Sequence, residues 1–508
     1  MSYHVIGIGG SGAKCVEALT HLSAAGMIPD EDLNILFVDP DTANGSLDRA
    51  QTTLQRYQNC RQLKSGSKDL FGTNIIISKP SVWTPFGDNA NPTLENFFHY
   101  SALKTQNEAA AHLFDILYSP QEKEVVLDEG FLGHPSIGAA VMAKKIKLDT
   151  FEPWKTFKNR VELDCKSKGS KIFLIGSIFG GTGASGLPTI ARLIRREFKG
   201  YENIQIGGVL LLPYFSFVAA EKKLSNGRIF RLDPQNFILN TQAALKYYFN
   251  QDYLDCFNSV YLLGEHSLTP VKKPSAGGNS QANDPHFIEL YASLAAIDFF
   301  GGSDQSEESS LNSTHKYKMV ARKNIKGLNW EDFPDQKNGN RIMNKIGNFT
   351  QFAFAYLKVY YPMLQDIKRN GKSYIAPWYV QFFERRKISL DKNEIHQKLE
   401  DMKIYCEVFL KWIACIQKTT DDINVNLVKS RAFAEEKNMA VNLLSPEEFK
   451  EYEFANLIAM NSKENSNALH NLWRKMCEAK VKVDNADELG CFFNALYKHS
   501  SNPYKLEE

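Results

Sequence analysis

Three glycine-rich stretches in this chain carry the residue types that hold an anion. The first is Gly7-Ile8-Gly9-Gly10-Ser11-Gly12. The second runs from Gly130 to Gly138 and includes Gly133 and His134. The third is Ile178-Phe179-Gly180-Gly181-Thr182-Gly183-Ala184-Ser185-Gly186. Glycine lets a backbone approach a phosphate with no Cβ in the way. A helix starting at such a turn presents unpaired N–H groups and the positive end of its dipole. Thr182 and Ser185 add hydroxyl donors. His134 has the chemistry of a ligand or a base, but beside Pro135 it also suits a residue that only shapes its turn. Any one of these loops, taken alone, is equally a tight turn in an α/β sheet.

Such loops need strands and helices to aim them. Tyr3–Ile8 reads as a short buried strand, Gly9–Gly12 as a turn and Ala13–Leu22 as a helix; Asn34–Val38 reads as the next strand. This is a βαβ unit, so the sheet is parallel and its crossover right-handed. Ligands bind such sheets at the carboxyl ends of the strands. Asp39 and Asp41, just after the second strand, therefore share a rim with the first glycine turn. Further strands are expected at 74–78, 171–176, 204–212 and 259–263. Helices are expected at 139–147, at 187–194 with Pro188 near its first turn, and at 237–249. Residues 270–284 are rich in Pro, Gly, Ser and Asn and read as a mobile loop. Pro285–Phe300 is apolar on most faces and reads as a central helix, with Asp284 as a cap. A strand is expected over 315–322, and 327–334 forms a compact segment with an aromatic anchor and two acids, Glu331 and Asp332. From Ile342 onward the pattern is mainly helical, with a capping-box spacing at Ser445–Glu448. The stripe Phe349, Phe352, Tyr356, Tyr360 reads as core. Asn370-Gly371-Lys372-Ser373 is not a P-loop, because Asp366 stands where that motif needs a glycine.

Composition narrows the function classes. The chain has 508 residues, 43% hydrophobic and 23% charged, enough for two or three domains with a substantial core. A net charge of +2 without lysine or arginine blocks gives no nucleic-acid signal. The eight cysteines form no CxxC pair, so no metal site is expected; they read as reduced thiols of a cytoplasmic protein. No run suits a secretory signal or a membrane span.

Together these pieces resemble the tubulin/FtsZ superfamily of GTPases, and the divergent bacterial tubulin-like proteins more than FtsZ or eukaryotic tubulin. Gly7 to Lys14 resembles the first phosphate loop of that family. Asp41 takes the acidic position of the second loop, with Asp39 before it. Gly130–Gly138 resembles the third loop, and Gly180-Gly181-Thr182-Gly183 with Pro188 the signature loop, although Phe179 replaces its first glycine. Pro213–Phe217 resembles the fifth. The match spans roughly the first 300 residues. It implies an α/β fold: a Rossmann-like parallel sheet with helices on both faces, a central helix and a mainly helical C-terminal region. The expected units are residues 1–300 with the central helix at 285–300, 301–430 with the loop 327–334, and a helical extension 431–508.

The resemblance also implies ligands and partners. GTP with Mg²⁺ would be held by Gly9, Gly10, Ser11, Gly12, Lys14, Asp39, Asp41, Gly133, His134, Gly138, Gly180, Gly181, Thr182, Gly183 and Ser185. Glu289 would read the base, since a carboxylate accepts from both N1–H and N2–H₂ of guanine; Phe287 or Tyr291 would stack on it. Subunits would assemble head to tail. Glu331 or Asp332 would enter the next subunit's site and orient the attacking water. The C-terminal helices would bind a partner or shape the lattice. Three other readings stay open. Gly7-x-Gly9-x-x-Gly12 with Asp39 as ribose acid suits an NAD-dependent Rossmann enzyme. Gly7–Gly12 with Val38-Asp39-Pro40-Asp41 and Arg49 resembles ThiF/E1-like adenylyltransferases. A tubulin-like scaffold that binds nucleotide with little or no hydrolysis is the third.

Overall fold

The computed structural model describes residues 2–28, 31–63, 69–86, 93–127, 130–131, 133–223, 229–232, 235–271, 278–281, 283–301, 326–333, 341–370, 376–417, 424–429, 433–435, 441–443, 454, 457–458, 468–479 and 489–500. Its frame is a six-stranded sheet. β1 (Ser2–Ile8), β2 (Asp32–Val38), β3 (Asn74–Trp83), β4 (Ser170–Ser177), β5 (Ile204–Leu211) and β6 (Ser259–Leu263) lie in the order 3-2-1-4-5-6, and every neighbouring pair is parallel. β1 and β4 are buried along their whole length, as continuous apolar runs in a parallel sheet must be. β3 runs on past the expected Ser78 through a register shift to Trp83.

Side chains alternate between two cores. Val5, Ile35, Phe173 and Val209 face one; Ile6, Leu36, Leu174 and Leu210 face the other. The first core is covered by α1 (Gly9–Ala24), α2 (Gly45–Arg61) and α7 (Phe287–Gly301); the second by α3 (Pro135–Lys145), α4 (Trp154–Cys165), α5 (Gly181–Glu197) and α6 (Gln235–Asn250). The first core continues without a break into α8 (Arg341–Ala355), α9 (Asn393–Ile416), α10 (Ala468–Glu478) and α11 (Gly490–Ser500). Phe349, Phe352, Tyr356 and Tyr360 are all fully buried there. Residues 315–322 and 445–448 lie outside the described residues.

Three helices begin earlier than their periodicity suggests. α1 starts at Gly9, α3 at Pro135 and α5 at Gly181, so the glycine turns are themselves the first helical turns. Pro188 consequently sits inside α5 instead of at its start. Proline cannot donate to the carbonyl four residues back. The Tyr248 hydroxyl donates to that oxygen, on Ala184, and satisfies it.

His21 fastens α1 to α9. It is fully buried against Tyr405, Phe409 and Trp412, with Nδ1 3.2 Å from the Tyr405 hydroxyl. Burial holds its pKa down at about 3. The unfolded chain therefore binds this proton more readily, and stability falls as pH drops from about 6.5 toward 3. One such proton contributes at most about 1.4 kcal/mol per pH unit. Urea denaturation of wild type and His21→Phe across pH 4–7 is expected to show this loss in wild type only.

Candidate functional site

The order 3-2-1-4-5-6 reverses direction between β1 and β4, and a parallel sheet opens its binding crevice at that switch point. Gly9 follows β1 and Ile178 follows β4, so the first and third glycine stretches face each other across it. The second comes from outside the sheet order and joins them. A methyl group built on Gly9 would lie 3.4 Å from Thr182 Cβ, and one on Gly181 would lie 3.0 Å from the Gly133 nitrogen. A methyl on Gly138 would run into the Ser185 hydroxyl. All three stretches therefore meet at one rim. Gly10, Ser11, Gly133, His134, Gly180 and Thr182 are at least partly exposed there, whereas Gly9, Gly12, Gly138, Gly181, Gly183 and Ser185 are buried beneath them. Ser185 Oγ donates back to the carbonyls of Gly181 and Thr182, so it secures the helix start and is not directed at the crevice. The His134 amide donates to Phe131 O, and its ring lies 3.6 Å from the Glu122 carboxylate.

Asp39 and Asp41 complete the rim. Asp39 Oδ1 accepts from the Asp41 amide at 3.1 Å, while Oδ2 is buried with no hydrogen-bond partner. Burial, and next the Asp41 charge, push the Asp39 carboxyl well above the usual carboxylate range. A buried, unsatisfied acceptor of this kind calls for a donor or a cation. Asp41 accepts from the amides of Ala43 and Gly278, the latter at 2.7 Å. Gly278 belongs to the loop read as mobile, yet its described part is strapped to α2. The Gly45 and Ser46 backbone amides donate to Gly278 O and Gln281 O, Asn44 Nδ2 to Gln281 Oε1, and Arg49 to Asn283 O. Asn44 also caps α2, accepting from the Ser46 and Leu47 amides.

Two candidates lie inside the protein instead of in the crevice. Lys14, placed by resemblance in the phosphate loop, is buried and ion-paired with Glu289, and its ammonium sits 5.6 Å from the Tyr214 ring centre. Glu289, expected to read the base, has both carboxylate oxygens engaged. Oε1 accepts from the Tyr214 hydroxyl at 2.8 Å as well as from Lys14; Oε2 accepts from the His286 amide at 2.9 Å. His286, not Asp284, caps α7: its Nδ1 accepts from the Ile288 amide, and Glu289 three residues on returns to its backbone. A second pair, buried Glu17 with half-buried Arg49, lies alongside, with both Arg49 Nε contacts under 3 Å. Tyr214 and His286 were not singled out from sequence. The spacing His286-x-x-Glu289 was a capping signal; Tyr214 lay within the stretch resembling the fifth loop, but nothing set its side chain apart.

The acidic segment 327–333 is built against the first turn of α7. Residues 327–328 pair with 424–425, and Trp330 Nε1 donates to Leu427 O. Tyr291 donates its hydroxyl to Asp332 O at 2.9 Å and stacks on Phe333, with centroids 4.9 Å apart. Tyr291 thus holds this turn, and Phe287 packs edge-on to it. Asp332 is buried, and its Oδ2 accepts from the Asn329 amide in a local capping box. Glu331 is exposed. The two acids are therefore not interchangeable.

Fold and rim define an α/β protein with a doubly wound parallel sheet whose glycine loops converge at the switch point. Residues 139–247, from α3 through the third loop to α6, match the family model described as tubulin like. Within those residues the chain is similar to tubulin-like proteins. Solved structures with a similar arrangement include CetZ from Methanosaeta thermophila strain DSM 6194, at 12% identity over 61% of this chain and 56% of that one, TM-score 0.28. CetZ2 from Haloferax volcanii, a GTPγS-bound protofilament, is 14% identical over 60% of this chain and 61% of its own, TM-score 0.27. TubZ from Bacillus thuringiensis serovar israelensis, also a GTPγS-form protofilament, is 12% identical over 52% and 47%, TM-score 0.21. The chain thus spans about three-fifths or less of the length of these structures. No curated protein matches. No described helix is long and apolar enough to cross a membrane.

Proposed function

We propose that this protein binds GTP at the β1/β4 crevice and assembles head to tail. The observation that carries the reading is the meeting of Gly9–Ser11, Gly133–His134 and Gly180–Thr182 at one rim. Amides of three helix starts, α1, α3 and α5, then surround one polyphosphate. An NAD-binding or adenylyltransferase site needs only the first of these loops, so this convergence favours the tubulin-like reading. Asp39 and Asp41 supply hard oxygen donors, and the unsatisfied Asp39 Oδ2 fits a hydrated Mg²⁺ or a sugar hydroxyl. Mg²⁺, when bound with the nucleotide, would neutralise charge on the phosphate oxygens. The chain's own part is positioning: N–H groups and the Thr182 hydroxyl orient the phosphates, and the strap formed by 278–281 and 283 covers the sugar side.

A heterologous head-to-tail contact that fails to close gives a filament. The decisive experiment is electron microscopy of the protein with GTP and Mg²⁺, beside extraction of nucleotide from the purified protein. Filaments and bound guanine nucleotide are expected; NAD, adenine nucleotide or nothing would replace this reading. ATP competing equally with GTP would mean that the site does not select guanine.

For hydrolysis, the exposed Glu331 is the candidate acid. Glu331→Ala is expected to lower GTP turnover about tenfold or more with GTP affinity unchanged. Asp332→Ala is expected to cost stability, about 1 kcal/mol from the lost cap. Single-turnover phosphate release and thermal melts separate the two. If Glu331→Ala leaves turnover intact, the scaffold reading gains.

A further inference from the structure

We propose that the turn Asn329–Phe333 belongs to the chain's own nucleotide end, where Tyr291 makes it sense the chain's own phosphate loop instead of completing a neighbour's site. This rests on the nucleotide reading above and refines which site the acidic turn serves.

The argument is one of position along α7. This helix runs antiparallel to the strands. Its last residues, Phe299 and Phe300, lie at the amino ends of the strands: their carbonyls accept from Lys171, and Phe300 stacks on Tyr3 at 4.4 Å. Its first turn lies at the carboxyl ends, where Glu289 meets Lys14 of α1 and Tyr214 just past β5. Long helical side chains lean toward the helix N-terminus. Tyr291 stands at the start of the second turn and leans back toward the first, so its hydroxyl, and the Asp332 carbonyl it holds, lie at the same end of the helix as the glycine-loop rim. An acid delivered to the next subunit in a head-to-tail stack would have to lie at the opposite end of the helix, beyond Gly301.

A short run of contacts joins the two sides of this turn. The Tyr214 hydroxyl meets the Ser11 side chain as well as Glu289. Glu289 fixes the start of α7 through the His286 amide. Two residues on, Tyr291 projects from the other side of the helix to Asp332 and Phe333. A phosphate that takes the Ser11 hydroxyl from Tyr214 alters the partners of Glu289, and the first turn carries that change to Trp330–Phe333. Tyr291 is a positioning residue in this scheme.

The test is hydrogen exchange of the peptide covering 326–333, in full-length protein kept dilute enough that light scattering detects no assembly. GTP is expected to change exchange there about fivefold, the lower end of ordinary coupling between sites. Ser11→Ala and Tyr214→Phe are each expected to shift it without nucleotide, and Tyr291→Phe to abolish the response to GTP while GTP affinity stays within about twofold. Exchange that ignores both GTP and the Ser11 and Tyr214 changes overturns the proposal. If GTP fails to bind but the two apo variants still shift the peptide, the coupling stands and the ligand assignment falls. A mixing experiment gives the second arm: Glu331→Gln subunits are combined with subunits whose glycine loop is blocked by Gly183→Ala. No recovery of turnover is expected. Recovery toward the wild-type rate means the acid acts on a neighbour, and the proposal is wrong.

Discussion

Gly183→Ala is expected to reduce nucleotide affinity by about 100-fold or more, equivalent to about 2.7 kcal/mol. A Cβ at this position would fall well inside contact distance of the Ser177 carbonyl oxygen and within 2.8 Å of the Ser177 nitrogen. Both are backbone atoms at the end of β4, a strand buried between β1 and β5, so they cannot yield. The start of α5 must lift instead, and with it the close approach of Gly181 to Gly133 and of Thr182 to Gly9. Gly12 is similarly confined, since a methyl there would lie 2.6 Å from Ile175 O. Thr182→Ala is the control, because Thr182 is half-buried and no neighbour need move. It is expected to weaken binding about tenfold, one charge-assisted hydrogen bond, with the melting temperature unchanged. Titration calorimetry beside thermal melts distinguishes these outcomes. Gly183→Ala binding as wild type does would reduce this loop to a structural turn.

Breaking the ion pair under the rim has the second large effect. Lys14→Met or Glu289→Leu alone is expected to destabilise the protein by about 3–5 kcal/mol, because each leaves a buried charge without its partner. Both side chains are at most 5% exposed, so solvent does not screen them. The neighbouring Glu17–Arg49 pair worsens the loss: Glu17 already has its pKa raised by burial, and removing Lys14 takes away a compensating charge. The double variant Lys14→Met/Glu289→Leu is expected to recover most of the loss, as apolar replacement of a whole buried pair commonly does. Guanidinium denaturation of the four proteins provides the double-mutant cycle. A double change that costs the sum of the two single changes would mean that the two side chains do not interact.

Much of this frame was legible along the chain. Apolar runs at 3–8, 34–38, 171–176 and 204–212, separated by glycine turns and helical periods, imply a parallel sheet with its ligand rim at the carboxyl ends. The early starts of α1, α3 and α5 were not legible. Glycine carries no periodic apolar signal, so helical turns made of glycine look like loops until the backbone is seen. The strap at 278–281 and 283 was hidden for a different reason. Its Gly, Ser and Asn composition matches a mobile loop, and what orders it is six hydrogen bonds to residues more than 200 positions away.

The roles of Lys14, Glu289 and Asp332 divide the two sources of information most clearly. Local sequence by itself determined the strands, the central helix, the glycine turns and their direction, because hydrophobic periodicity and missing Cβ atoms act over a few residues. Only the tertiary structure decided which charges face the crevice and which neutralise one another. That choice depends on burial and on partners brought together by chain closure: Lys14 meets Glu289 and Tyr214 only once α1, α7 and the end of β5 have packed.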